Sequence, residues 1–219
     1  MREKKRCELL GRNTIYEISS NQAIIRGLRH MIKDRDLPVN LVAFVFMKIA
    51  VDLSKWTYRQ IELILEAGYQ LYVDSYNAYK PTTTKLGLQH ILRRILLKDF
   101  EAKIDVRKPI AGGRFTRENL NVHLTNFFVI TNFCIVSFED YLVSIYFKSG
   151  YYYLFDPYSR DLLGNKTEDG SAMLMRFGDL TELVDKVVKN FVPAELADNI
   201  EKRYALIVVG LISVTPIGK

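Results

Sequence analysis

The segment Phe155-Asp156-Pro157-Tyr158-Ser159-Arg160 places a carboxylate, a phenol and a guanidinium close together at the end of an aromatic run. An aspartate two residues before a proton carrier is a spacing with which a carboxylate orients a general base. A histidine in that second position would make a hydrolase pair. Tyr158 stands there instead. A phenol titrates at about 10, against about 6.5 for imidazole. Tyr158 is therefore no proton shuttle near neutrality, although it can donate a hydrogen bond to Asp156 or to a partner.

Other reactive groups are few. Cys134, between Phe133 and Ile135, reads as a buried and inert thiol. Cys7 lies in a basic segment that would lower a thiol pKa, but no motif sets a histidine beside it. His30 and His90 fall on helical segments and His123 in a loop or strand edge; all three read as surface or capping residues. Their spacing supports neither a metal site nor a disulfide framework, and a reducing compartment follows. Ala111-Gly112-Gly113-Arg114 reads as lacking the strand-to-helix setting of a phosphate loop. No metal and no cofactor is expected.

The elements that must position Asp156 and Tyr158 change period along the chain. Residues 21–33 repeat apolar positions at helical spacing, Leu41 to Val51 is apolar almost all round, and Thr57 with Gln60 forms a capping box for a helix reaching about Tyr76. A further helix is expected over Leu86 to Leu97. Short strands are then expected at 126–138, 141–147, 151–156 and 172–177, with Lys148-Ser149-Gly150 turning one hairpin and Pro157 breaking the third strand. Asp179 with Glu182 caps a helix that Pro193 ends, and a strand closes the chain at 204–214. The expectation is one α+β domain over residues 1–219: a basic, flexible segment at 1–20, a helical half at 21–100 packed on a mostly antiparallel sheet half at 120–215.

In this setting "YYYLFDPYSRD", followed by "LGN", "DGSAMLMRF" and "LTELVDKVV", resembles the papain-like cysteine peptidases of herpesvirus large tegument proteins. Those are deubiquitinases, and related peptidase-like domains occur in insect viruses and mobile elements. Residues 40–72 are similar to the helical segment behind the nucleophile in the insect-type members, sharing a Leu-Val-Ala helix, a Trp-Thr helix start and an Ile-Leu-Glu-x-Gly-x-x-Leu-Tyr stretch. The resemblance implies a papain-like fold, a cysteine at the start of the central helix, and an Asp-x-His motif. Asp156 matches the orienting aspartate and Tyr158 replaces the histidine. In one register Asn21 and Gln22 match the oxyanion-hole neighbourhood and Ala23 replaces the cysteine; in the other the nucleophile position falls at Asp36 to Pro38. Neither register supplies a thiol. The expectation is a degenerate site, Gln22, Ala23, Asp156 and Tyr158, on a catalytically inactive domain of viral or mobile-element type that binds a protein, ubiquitin-like or other. The alternatives are an active hydrolase rebuilt around Cys7, or a nucleic-acid-associated protein.

Composition bounds these readings. The chain has 219 residues, 48% of them hydrophobic, which is globular. Its longest apolar runs are too short to span a bilayer and no signal-peptide pattern follows the charged N-terminus, so an intracellular protein, cytoplasmic or nuclear, with no membrane partner is expected. The net charge of +6 is concentrated at 2–35 and 93–117, where nucleic acid could bind.

Overall fold

The structure, a computed structural model, describes residues 18–19, 35–168, 170–191 and 203–217. The helix expected at 21–33, with Gln22, Ala23 and His30, and the segment holding Cys7 lie outside the described residues.

Helix α1, Asp36–Ile49, is buried along nearly its whole length, which is why its sequence shows no polar face. Helix α2, Tyr58–Tyr79, opens with the capping box read from sequence: the Thr57 side chain and Gln60 satisfy each other's free backbone N–H groups. The two helices cross at Gly68, where a Cβ would meet the Cα of Val39 at 2.6 Å. Only glycine permits that approach.

The helix expected over Leu86 to Leu97 does not form. A short 3-10 turn at Leu88–His90 leads into strand β2, Arg94–Leu96. Two more strands follow, β3 at Phe100–Val106 and β4 at Ala111–Arg114. The segment 126–138 also divides, since its first part closes helix α3, Arg117–Ile130, and only Phe133–Phe138 is strand, β5. His123 is therefore helical, and its Nδ1 shares a hydrogen bond with the Tyr204 hydroxyl. The chain does run from strand to helix after Ala111, but Gly112 and Gly113 sit inside β4, paired to Ala205 and Tyr204 of the closing strand, and form no loop.

Strands β6, Tyr141–Lys148, β7, Tyr151–Arg160, and β8, Ser171–Phe177, follow as a meander. Ser149 and Gly150 turn the first hairpin with positive φ. Pro157 does not end its strand: β7 runs on to Arg160 through an irregularity between Asp156 and Arg160. Helix α4, Leu180–Phe191, starts where Asp179 accepts from the N–H groups of Thr181 and Glu182. The last strand, β9, is Arg203–Pro216. With β1, Ile18–Ser19, the strands join in the order β1-β8-β7-β6-β5-β9-β3-β2, β4 pairing beside β3 on β9, and every pairing is antiparallel.

The sheet is covered on both faces. Phe133, Ile135, Phe155 and Leu174 face α1 and α2, while Cys134, Val136, Leu154 and Met173 face α3 and α4. Burial on both sides explains why β5 to β8 read as continuous apolar runs instead of alternating ones.

Candidate functional site

The N-terminus of α1 abuts the sheet where β7 passes its irregularity. Asp36, the first residue of α1, is 1% exposed. Its Oδ1 accepts from the Leu37 N–H at 2.9 Å and its Oδ2 from the Tyr158 hydroxyl at 2.7 Å. That hydroxyl in turn accepts the Leu142 N–H at 2.9 Å. Asn40, one turn into α1, donates to the carbonyls of Asp36 and Leu142 and accepts from Ser144 Oγ at 2.7 Å. Helix, β6 and β7 are thus locked together by one buried polar network.

Asp156 does not touch the Tyr158 hydroxyl. Its Oδ1 accepts the backbone N–H of Tyr158 at 3.0 Å, and its Oδ2 pairs with Arg160 Nε at 2.6 Å, both side chains being buried. The Arg160 guanidinium packs against the rings of Tyr158 and Phe191. Gly170 closes over the pair, since a Cβ there would strike the Arg160 backbone at 2.1 Å.

Electrostatics follow from this burial. Desolvation raises the Asp36 carboxyl to about 7, against the opposing pull of the Tyr158 hydroxyl, Lys85 and the Leu37 N–H. Burial likewise pushes Asp156 up, while Arg160 and the Tyr158 N–H draw it back. The Tyr158 phenol is held well above its usual range, first by burial and then by the Asp36 charge, so it stays protonated. Cys134 is fully buried and its thiol pushed up, which leaves it inert. His90 packs on Tyr79, and neither it nor His123 belongs to this network.

Of the residues singled out from sequence, Asp156 and Tyr158 come together with Asp36, while Gln22 and Ala23 lie outside the described residues. The pairing of Arg160 with Asp156, and Asn40 and Ser144 altogether, were missed. The i+4 spacing of Arg160 from Asp156 was the available signal for the first; nothing local marks the other two. Among the described residues no group of His, Cys, Asp and Glu is placed to hold a metal ion, and no helix is long and apolar enough to cross a membrane. Three arginines of the basic segment 93–117 are ion-paired internally: Arg94 to Glu101, Arg107 to Asp105 and Arg117 to Asp185.

A buried helix whose first turn meets an Asp-x-Tyr strand across an antiparallel sheet has the layout of a papain-like cysteine peptidase, and that is the fold. Residues 32–205 match the family described as herpesvirus tegument protein, N-terminal conserved region, and the chain belongs to it. Among solved structures, it is similar to the ubiquitin-specific protease encoded by murine cytomegalovirus tegument protein M48, in complex with a ubiquitin-based suicide substrate. The TM-score is 0.69 at 15% identity, over 93% of this chain and 88% of that one. No curated protein matches the chain in sequence.

Proposed function

We propose that this domain is a peptidase-like binding module whose catalytic pair has been replaced by a structural one. The observation that carries the reading is the hydrogen bond from Tyr158 to Asp36 across the N-terminus of the central helix. Of the two registers, the one set by the Leu41-Val42-Ala43 helix puts the nucleophile position there. A carboxylate then stands where a thiolate would, and a phenol where the imidazole would. Neither can perform acyl transfer: the phenol does not ionise near neutrality, and the carboxyl is sealed from any substrate.

Loss of chemistry leaves the surface that once met a substrate free for binding alone. Ubiquitin or a ubiquitin-like protein is the first partner to try, because the similar M48 structure holds a ubiquitin-based substrate. The test is incubation of the purified protein with a ubiquitin-based suicide probe, read by intact mass. No adduct is expected. An adduct on Cys7 would overturn the proposal in favour of a rearranged active hydrolase.

A further inference from the structure

Cations gather where β6, β7 and β8 meet the far end of α1. Register sets Lys148 opposite Tyr151 and Arg176 opposite Tyr153. The two tyrosines are two residues apart, so all four side chains stand on one face of the sheet. The link from α1 to α2 passes over that face, and a pocket of about 180 Å³ remains between them. It lies about 21 Å from Asp36, at the other end of the 14-residue helix.

The charges there are poorly balanced. Lys148 donates to the Ala50 carbonyl and Lys48 to Asn132 Oδ1, both neutral acceptors, and the two ammoniums share the Tyr146 ring at 6.0 and 5.3 Å. Burial, and then the Lys148 charge, hold the Lys48 ammonium below its usual range. The α1 C-terminal dipole offsets part of one charge and leaves the rest. Arg176 stacks on the Tyr151 ring at 4.2 Å and bonds to the Tyr153 hydroxyl. A guanidinium has no acceptor, so that hydroxyl accepts and keeps its own proton for another oxygen. Among the described residues Asp52 is the one carboxylate lining the pocket, and it is engaged by the Ser54 N–H, the Ser54 hydroxyl and Lys55.

We propose that this pocket binds a phosphoryl group, held by Lys148, Arg176 and the Tyr153 hydroxyl. The three donors come from three adjacent strands and approach from different directions. A planar carboxylate offers two oxygens, whereas a phosphoryl group offers three strong acceptors spread about a tetrahedron. Its charge also relieves the repulsion between the lysines, with Lys48 adding to the positive field from behind. The site is separate from the Asp36 network, so its occupancy does not depend on whether the domain has lost its chemistry.

Calorimetric titration of the whole chain with inorganic phosphate, at ionic strength held constant with chloride, should show one saturable site. Lys148→Gln and Arg176→Gln should each weaken it at least about tenfold. Tyr153→Phe removes a single oxygen from the core and should weaken it too, which keeps the test independent of how Arg176 packs. Lys103→Gln, an exposed charge on β3, should leave it unchanged. Phosphoserine separates the two sources of the group: tighter binding than phosphate means that it arrives on a polypeptide side chain, and equal or weaker binding means the free ion. No binding at about 10 mM phosphate, binding untouched by Lys148→Gln and Tyr153→Phe, or an equal loss in Lys103→Gln would overturn the proposal.

Discussion

Asp36 and Asp156 are two buried carboxylates on either side of Tyr158, and they are compensated in different ways. Asp156 holds a guanidinium on its Oδ2 and a backbone N–H on its Oδ1. Asp36 has a phenol and a backbone N–H, with Lys85 acting only at a distance while its ammonium pairs with Asp140. The difference separates a charge built into the fold from one the fold barely tolerates. Asp156 has its arginine four residues on in the same strand. Asp36 stands at the nucleophile's place in the register proposed above and, among the described residues, makes no ion pair of its own.

Removing the compensation is the most forceful way to test this contrast. Arg160→Met strands Asp156 in a site with no exposure and should destabilise the protein by about 3–5 kcal/mol, measured by urea unfolding at neutral pH. The loss should shrink in acid, where Asp156 takes up a proton. A change below about 1 kcal/mol would show that Asp156 needs no cation and would dissolve the comparison.

The opposite sign is expected at Asp36. Its carboxyl is raised from 3.8 to about 7, so the folded state binds a proton that the unfolded state has lost. The stability this contributes is fully present below pH 4 and is lost as pH rises through 7. Asp36→Asn keeps an acceptor for the Tyr158 hydroxyl, gives up the one for the Leu37 N–H, and removes the charge. It should stabilise the protein by about 2–4 kcal/mol above neutrality and by almost nothing in strong acid, read as paired melting curves across the range. A gain independent of pH would place the strain elsewhere.

The two carboxylates also differ in how legible they were. Asp156 was plain because its whole neighbourhood is local: an aromatic strand, a turn of motif and Arg160 within four residues. Asp36 meets Tyr158 across 122 positions of sequence, and only the register of the Leu41 to Ala43 helix hinted at it. The fold followed the same rule. Helices α1 and α2 and strands β6 to β8 announced themselves by period and by the capping box at Thr57. The last part of helix α3, residues 126–130, was read as strand because the exposed, apolar Val129 and Ile130 blur the helical period. Strand β3 carried a signal that went unused: Phe100, Ala102, Ile104 and Val106 alternate with Glu101, Lys103 and Asp105. A run of charges at 93–117 drew attention to the surface, when three of its arginines serve ion pairs inside the chain.

The smallest expected effect isolates what joins the two regions. Tyr158→Phe keeps the ring that packs against Tyr141 and Phe191 and deletes only the hydroxyl. That removes the acceptor of the Leu142 N–H and the donor to Asp36, for a cost of about 1–3 kcal/mol. The cost should depend on pH in a defined direction. The hydroxyl now draws the Asp36 carboxyl down, so without it the carboxyl titrates above its present value of about 7. The destabilisation should therefore be larger at alkaline pH, where an ionised Asp36 has lost its hydrogen bond, than in acid, where a neutral carboxyl has lost little. Asp156 keeps Arg160 and the Tyr158 N–H in this variant, so its ionisation should stay put. Carboxyl titration by carbon-13 NMR would separate the two sites: a shifted Asp156 beside an unmoved Asp36 would reverse the assignment of which carboxylate depends on Tyr158.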